Sequence, residues 1–364
     1  MKKLIFTERA IEKSVYEKRL ARIQERLEEQ GSQAFIIKKE GNIRYLCCSH
    51  LPYPVVSYLV ITEKDSPIGI AASLEELRAR DQSSVKELFS FADHPGIKAD
   101  GKKAEEVLKK VLAERKISNA LVDTKMAVKG VRTKTDNFIS KLREKKDVQE
   151  LENIKKACRL ASRACKKLED FVEDGRTELQ IANELDYYVR SLGAQANSFP
   201  TIIASGKHSC YSHHHPTNKK IKCNESVVCD FGAMYKGYCS DITRTVFVGN
   251  PPKELLKVYE LVRESQLRAI KMIKPGVRFR DIDLSIRNFF KEHNYDRYFV
   301  HSAGHGIGLE VHEAPKVSCT NKNKIFQGNV FTLEPGLYIP KKFGVRIEDV
   351  VVVEKSGARI LTRL

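Results

Sequence analysis

Two aspartates, Asp230 and Asp241, lie in a segment whose residue pattern predicts a β-hairpin. The segment 227–248 reads VVCDFGAMYKGYCSDITRTVFV, and its turn is expected near residues 235–237. If the loop is tight, the two carboxylates face each other across the strands, where like charges are destabilising, especially when apolar neighbours bury them. A shared proton, an ion pair with Arg244, or two divalent cations bridged by both carboxylates could compensate this repulsion.

Three residues further along the chain could complete a metal site. His305 lies between two glycines in GHGIG, in a predicted Gly-rich loop. Glu334 ends an apolar strand before a Pro-Gly turn, and Glu348 lies in the β-branched strand GVRIEDVVVV. Four carboxylates and an imidazole on buried elements would cost several kcal/mol per uncompensated ion. The combined pattern therefore favours divalent cations over the other two explanations.

The elements that must position these residues fall into two parts. Residues 1–145 alternate helical and strand patterns and predict a small α/β domain. A helix precedes the buried strand AFII, two more strands flank the turn EKDS, and helices are expected near 102–115 and 130–143. Ser73 and Glu76 are expected to form a capping box at the start of another helix.

Residues 146–364 form the second predicted domain, whose boundary lies within a charged stretch at 143–147. Its first helix carries one apolar face from Leu151 to Val172 and is expected to end at Gly175. Further elements are predicted from local signals: a helix capped by Thr177 and Gln180, then mainly strands from Ser198 onward, with helices near 252–273 and 279–293. The overall prediction is an α+β protein of two domains.

Composition restricts the class of protein. The 364 residues include 64 Lys and Arg against 47 Asp and Glu, a formal net charge of +17. Because these charges alternate in sign along helical segments, solvated ion-pair faces explain them better than nucleic-acid binding. The chain has no apolar run of about 20 residues, the length of a membrane span, and its N-terminus lacks the apolar core of a secretory signal. Nine cysteines without a CxxC pair predict free thiols and a cytoplasmic protein.

The five candidate ligands occur in the order Asp, Asp, His, Glu, Glu, within CDFGA, SDITRT, GHGIG, EPG and RIED. With these motifs, residues 147–364 resemble the pita-bread metallopeptidases, specifically the proline dipeptidase and aminopeptidase P branch. The resemblance implies a catalytic pita-bread domain at 146–364, preceded by a smaller, non-catalytic creatinase-type α/β domain at 1–145. Methionine aminopeptidases share the five ligands but generally lack such an N-terminal domain and an RIED-like segment.

The same resemblance implies a ligand set and a metal. Two divalent ions per subunit are expected, Mn(II) or Co(II) first and Zn(II) or Fe(II) as alternatives, because a carboxylate-rich site is hard. The implied ligands are Asp230, Asp241, His305, Glu334 and Glu348.

Two histidines, His213 and His312, are implied to be catalytic through hydrogen bonds to the substrate carbonyl or the tetrahedral intermediate. His213 lies in YSHHHPTN, where Ser212 replaces the family's usual proline, so His214 is an alternative. In a strand, adjacent histidines would point to opposite faces, so only one could reach the metals. His215 is expected to be solvated.

The resemblance also implies that His301 and Arg346 occupy positions similar to those that orient metal ligands in relatives. The alternative is a packed histidine and a surface arginine without a role in the site. Glu310 and Glu313 match no ligand and are expected to face solvent or the end of the substrate.

The implied reaction is hydrolysis of an N-terminal X-Pro bond by a water bridging the metals, with Glu334 as general base. Proline has no backbone N–H, so general peptidases that bind this donor are excluded from cleaving before proline. Whether the enzyme is a dipeptidase or a longer-peptide aminopeptidase stays open. Two rivals are a creatinase-like amidinohydrolase and a metal-free pita-bread module that binds protein or nucleic acid, and retention of all five ligands argues against both. Relatives are often dimers, so a homodimer is expected.

Overall fold

The computed structural model describes residues 2–47 and 54–363. The chain packs as two compact units, Met1–Leu142 and Arg143–Leu364. The predicted functional boundary, after residue 145, stays a prediction. Within the described ranges, no helix is both long and apolar enough to span a membrane.

The first unit combines helices with six strands. In chain order its elements are α1 (Lys2–Gln30), β1 (Ala34–Ile37), α2 (Glu40–Cys47), β2 (Tyr58–Thr62), β3 (Ile68–Ala72), α3 (Glu76–Gln82), β4 (Glu87–Phe91), α4 (Ala104–Glu114), β5 (Asn119–Val122), β6 (Arg132–Thr135) and α5 (Phe138–Glu144), which contains the division.

A single six-stranded sheet, in the order β4-β3-β2-β1-β5-β6, organises the first unit. Strand β1 is buried along its whole length, as its apolar sequence predicts, and the apolar face of α4 packs in the same core as Val60 and Ile70. The predicted helix at 130–143 is wrong in its first half, where β6 extends the sheet parallel to β5. The capping box at Ser73 is also wrong, because a short 3-10 turn covers Ser73–Glu75 and α3 begins without a side-chain cap.

The second unit contains the remaining helices and strands. They are α6 (Val148–Cys165), α7 (Leu168–Phe171), α8 (Glu178–Ser191), β7 (Ala196–Asn197), β8 (Ile202–Ser205), β9 (Ser226–Phe231), β10 (Ala233–Tyr235), β11 (Tyr238–Cys239), β12 (Ile242–Phe247), α9 (Lys253–Met272), α10 (Phe279–Glu292), β13 (Gly304–Gly306), β14 (Glu313–Val317), β15 (Val330–Leu333), β16 (Gly336–Ile339), β17 (Phe343–Arg346), β18 (Asp349–Glu354) and β19 (Gly357–Ile360).

Two helix pairs cover two groups of strands in this unit. Helices α6 and α8 share a core with strands β8, β9 and β12. Helices α9 and α10 share a second core with the sheet β14-β13-β15-β18-β19. The unit is therefore a mixed α and β structure in which helices come first and strands then predominate, interrupted by α9 and α10, as predicted.

Local capping signals account for where α6 and α8 begin. Asp147 and Glu150 form a capping box at α6, and Thr177 and Gln180 form the predicted one at α8. The long helix predicted from Leu151 to Val172 is interrupted, since α6 ends at Cys165 and the four-residue α7 follows. Helices α9 and α10 confirm the two predicted segments.

The cysteines of the described residues are free thiols, as predicted. They are Cys47, Cys158, Cys165, Cys210, Cys223, Cys229, Cys239 and Cys319.

Candidate metal centre

The predicted hairpin forms, but its register differs from the expected one. Strands β9 and β12 pair antiparallel with Asp230 opposite Thr243, so the expected opposition of Asp230 and Asp241 is wrong. The reason is a second small hairpin, β10–β11, whose turn lies at Lys236 and Gly237, both with positive φ. Asp241 follows it, one residue before β12 begins. Both carboxylates are nevertheless buried and line one cavity.

His305 lies in the short strand β13 rather than in the predicted loop. Its backbone N–H donates to Thr332 Oγ1 at 3.1 Å. Its Nδ1 lies 3.2 Å from the carbonyl oxygen of Gly306, which assigns the proton to Nδ1 and leaves Nε2 as a lone-pair donor. The flanking Gly304 and Gly306 are required, because a Cβ on either would overlap a carbonyl oxygen of a neighbouring strand.

The two glutamates approach from separate strands. Glu334 follows β15, as predicted, and its Oε1 lies 3.4 Å from His305 Nε2. Asp241 Oδ2 lies 3.6 Å from the same nitrogen. Glu348 lies between β17 and β18 rather than within a strand, and its backbone bridges to Thr243. Thr243 Oγ1 also donates to Glu348 Oε2 at 2.7 Å.

Several carboxylate oxygens of this cluster are buried without a hydrogen-bond partner among the described residues. They are Asp230 Oδ1, Asp241 Oδ1 and Glu348 Oε1. One donor atom each from Asp241, His305 and Glu348 lies within 4.8 Å of the others. Buried acceptors without donors are costly, whereas hard oxygen ligands with one imidazole suit divalent cations. The residues present therefore fit a divalent metal centre.

The pKa shifts in the cluster also indicate a site for divalent cations. Burial, followed by the neighbouring Glu348, raises the pKa of Asp241 well above its ordinary value. Burial and then Glu334 do the same to the pKa of Glu348, and burial raises the pKa of Glu334. Burial lowers the pKa of His305, which keeps the imidazole neutral and able to bind metal. These carboxylates need positive charge in order to ionise together.

Arg346 and His301 are joined through a tyrosine that the sequence analysis missed. Arg346 is buried, so the surface-arginine alternative is wrong. Its guanidinium donates to Asp230 Oδ2 at 2.5 Å, to Thr243 Oγ1 at 3.2 Å and to the Tyr338 hydroxyl at 2.8 Å. His301 Nε2 lies 3.0 Å from the same hydroxyl. Tyr338 is four residues after Glu334, but nothing in the local pattern distinguishes it from a core tyrosine.

The three adjacent histidines lie in an irregular segment, so the strand argument for choosing among them does not apply. His213 and His214 both line the cavity, but His214 Nε2 is held by the buried Glu178 at 2.9 Å. His215 is exposed, as expected, and also lies at the cavity. His312 also lines the cavity, and its ring centroid lies 4.2 Å from that of His305. This arrangement favours His213 over His214 as the histidine available to a substrate.

The cavity has a volume of about 640 Å³. Besides the metal cluster and the histidines, it has an apolar wall formed by Phe199, Pro200 and Ile202, and a cation, Lys316. Lys316 lies opposite His305 in the β13–β14 register, so the two side chains share a face of the sheet.

Glu313 does not face solvent, the first of the two expectations for it, but it lines the cavity, where the second expectation would place it. Its side chain is 6% exposed and pairs with Lys146 at 2.8 Å and with Arg143 at 2.5 Å. Glu310 is exposed but also pairs with Arg143, at 2.7 Å. The charged stretch after residue 142 thus contributes buried cations to the second unit.

Comparison with known proteins supplies the family. The model described as metallopeptidase family M24 matches residues 152–355, and the creatinase/prolidase N-terminal domain model matches residues 19–159. A Xaa-Pro dipeptidase from Pyrococcus horikoshii is 33% identical over 96% of this chain and 98% of its own length.

Solved structures of other proteins are similar to this chain along almost its whole length. A prolidase from Pyrococcus horikoshii has a TM-score of 0.86 at 33% identity, covering 95% of this chain and 98% of its own. An X-Pro aminopeptidase from Thermotoga maritima has a TM-score of 0.84 at 33% identity, covering 95% of this chain and 97% of its own. The chain belongs to metallopeptidase family M24. It is a metal-dependent peptidase with the predicted pita-bread fold, which confirms the resemblance stated from the sequence.

Proposed function

We propose that this chain is an exopeptidase that hydrolyses the X-Pro bond at the N-terminus of short peptides, with residues 146–364 as the catalytic domain and 1–145 as a non-catalytic domain. The proposed ligands of its two divalent ions are Asp230, Asp241, His305, Glu334 and Glu348. The observation that carries the proposal is the set of buried, unpartnered carboxylate oxygens around His305.

The metals would supply Lewis acidity and an activated water at this cluster. The raised pKa of Glu334, which follows from its burial, suits a group that accepts a proton from water and later gives it to the leaving amine. His213 and His312 line the cavity from separate segments, where they can donate hydrogen bonds to the substrate carbonyl and the developing oxyanion. Arg346 fixes Asp230, and its bond to Tyr338 connects that ligand to His301.

The cavity wall supports proline as the second residue of the substrate. Phe199, Pro200 and Ile202 offer an apolar surface to a pyrrolidine ring, which brings no N–H that would need a partner. Lys316 favours a dipeptide, because its ammonium can pair with the free carboxylate that follows proline in X-Pro but not in a longer peptide. The relatives carry both names, Xaa-Pro dipeptidase and X-Pro aminopeptidase.

Mn(II) or Co(II) is the proposed ion, with Zn(II) or Fe(II) as alternatives, since four carboxylates and one imidazole form a hard ligand set. A cytoplasmic location and a homodimer complete the proposal. The free thiols of the described cysteines support a reducing compartment.

The test compares Ala-Pro, Ala-Pro-Ala and Ala-Ala as substrates for protein purified without chelator and supplied with Mn(II) or Co(II). We expect rapid release of alanine from Ala-Pro, slower release from Ala-Pro-Ala and little from Ala-Ala. Equal rates on the two proline peptides would contradict a strict dipeptidase. A metal content below one equivalent per chain that added Mn(II) does not restore would instead favour the metal-free binding module. If neither the Mn(II) protein nor the Co(II) protein cleaves X-Pro peptides, the proposal is overturned.

A further inference from the structure

A second group of potential metal-binding side chains lies outside the proposed catalytic centre. It consists of Glu178, His208 and His214, whose donor atoms all lie within 4.8 Å of one another. Glu178 is the first residue of α8, and its side chain is fully buried. His208 lies in a short 3-10 segment, Gly206–Cys210, and His214 in the irregular chain that follows.

Both imidazoles point at the same carboxylate. His208 Nδ1 lies 3.1 Å from Glu178 Oε1 and 3.2 Å from Oε2, while His214 Nε2 lies 2.9 Å from Oε2. The two ring centroids are 4.5 Å apart. Two ligands bound at about 2.1 Å to a tetrahedral Zn(II) are separated by about 3.4 Å. Small side-chain adjustments would therefore bring all three donors onto one ion.

Glu178 is surrounded by more donors than its lone pairs can serve. The backbone N–H and hydroxyl of Ser205 and those of Thr217 already contact it at 2.7–3.1 Å. Lys219 Nζ donates to Ser205 Oγ at 2.8 Å, which leaves the serine hydroxyl proton directed at Glu178. These four donors match the roughly four lone-pair sites of a carboxylate. The two imidazoles bring the number of contacts to six. One cation bound by both imidazoles and by Glu178 would replace two of these contacts by one and so relieve part of the excess.

We propose that Glu178, His208 and His214 bind a third divalent transition-metal ion, Zn(II) or Ni(II). Two imidazoles with one carboxylate form a softer ligand set than the carboxylate-rich catalytic centre and suit these ions. The charge of the nearby Lys219 is compensated by Glu225 at 2.7 Å. The side chain of His208 is 21% exposed, so solvent can complete the coordination.

Occupancy of this site would hold the segment that carries His213. That residue directly precedes His214, and both line the catalytic cavity. An ion bound between the start of α8 and this segment would restrict its movement without contacting the substrate. The proposed role is therefore structural support of one wall of the cavity, separate from the hydrolytic metals.

The test is a count of bound metal in four full-length proteins: wild type, His208→Gln, His214→Gln and His94→Gln. Each is stripped with chelator, dialysed at a fixed micromolar free Zn(II) concentration, and measured by elemental analysis. His94 is an exposed histidine of the first unit and serves as the matched control. Glutamine can still donate a hydrogen bond to Glu178, and circular dichroism checks that the variants fold. We expect His208→Gln and His214→Gln to bind one equivalent fewer than wild type and His94→Gln.

A second comparison separates this site from the catalytic centre. With Asp241→Asn in the background, adding His208→Gln should again remove one equivalent, whether or not the enzyme cleaves X-Pro peptides. Equal zinc content in folded wild type, His208→Gln and His214→Gln would overturn the proposal. A loss of the same size in His94→Gln would show adventitious binding to surface histidines and would overturn it as well.

Discussion

At the scale of single residues, two of the proposed ligands, Asp230 and Glu348, are each held by a hydrogen bond to one carboxylate oxygen, while the other oxygen has no partner among the described residues. Asp230 Oδ2 accepts from Arg346 and Glu348 Oε2 accepts from Thr243, while Asp230 Oδ1 and Glu348 Oε1 have no partner among the described residues. A hydrogen bond to one oxygen fixes the direction of the other and so prepares it for a metal. Preorganisation of this kind lowers the reorganisation needed when the ions bind.

Replacing Glu334 by glutamine tests the proposed general base. The amide cannot take a proton from water, so we expect kcat to fall by about 10²–10⁴-fold, with most of the bound metal retained. The measurement is steady-state hydrolysis of Ala-Pro alongside metal analysis. Glu292→Gln, a change of the same charge at the exposed end of α10, serves as the control. Wild-type turnover by a metal-replete Glu334→Gln protein would reject this role.

Lys316 is predicted to bind the carboxylate that ends a dipeptide. In Lys316→Met, loss of a charge-assisted contact worth about 1.5–3 kcal/mol should raise KM for Ala-Pro by roughly 10–100-fold. Ala-Pro-Ala, which has no carboxylate at that position, should change much less. Lys322→Met, at a nearby exposed lysine, provides the control. A similar rise in KM for both peptides would argue against carboxylate recognition.

At the scale of elements, the chain just before α6 is anchored by buried ion pairs to β14. Lys146 is almost fully buried and donates to Glu313 Oε1 at 2.8 Å and to the carbonyl oxygen of Arg143 at 2.7 Å. Burial of a cation is tolerated here because its partners are fixed on neighbouring backbone.

Lys146→Met should leave part of the Glu313 charge uncompensated. Breaking a buried pair in this way costs about 3–5 kcal/mol, which urea unfolding can measure as a lower free energy of unfolding. The adjacent Lys145 is exposed, so Lys145→Met should change the free energy by less than about 0.5 kcal/mol. Equal stabilities of the two variants would mean that the buried pair contributes nothing.

Glu178 ties the start of α8 to β8 and to the histidine segment. Burial alone raises the pKa of Glu178, but hydrogen bonds from His214, Ser205 and Thr217 outweigh it and lower the pKa from 4.5 to about 2. The pKa of Glu178 is lower in the folded state than in the unfolded state. The ionised carboxylate therefore stabilises the fold at pH values above 4.5, and this stabilisation is lost as the pH falls toward 2.

Glu178→Gln should therefore be less stable than wild type at pH 7, by about 3 kcal/mol. The gap should narrow as pH falls below about 4.5. Chemical unfolding in the presence of chelator, from pH 7 to pH 3, measures the gap without any metal contribution. Glu173→Gln, at an exposed site, should follow wild type throughout. A pH-independent gap would show that ionisation of Glu178 is not its source.

At the scale of the whole molecule, every proposed metal ligand belongs to the unit Arg143–Leu364. The raised pKa values of Asp241, Glu334 and Glu348 follow first from burial and mean that their ionised forms oppose folding when no cation is present. Metal binding and stability of this unit should therefore be coupled.

Removing metal with chelator should destabilise the second unit and leave Met1–Leu142 almost unchanged. An ion at 100 times its Kd contributes about 2.7 kcal/mol, so its loss should increase hydrogen exchange in the strands around His305 and Glu334. Mn(II) should restore the protection. Asp174→Asn is an exposed control that should retain the metal effect, whereas Asp241→Asn should lose most of it. Equal loss of protection in both units would contradict this coupling.

The sequence alone was sufficient to predict the family, the α+β class and most helices, because capping boxes and apolar periodicity depend on residues a few positions apart. Thr177 with Gln180 is such a signal, and so is Glu334 at the end of an apolar strand. Local signals failed where tertiary packing overrode them: β6 replaced the first half of a predicted helix, and Glu313 is buried beside Lys146 rather than exposed to solvent.

Only the tertiary structure decided which residues meet in the cavity. Arg346 contacts Asp230 across 116 positions of sequence, and Glu178 contacts His214 across 36. The register that places Thr243, not Asp241, opposite Asp230 depends on the extra hairpin β10–β11. Such contacts leave no periodic trace in the chain, because they depend on strand register and on how separate sheets pack. The types of the residues and their order therefore indicate the chemistry, whereas tertiary packing determines which residues contact each other.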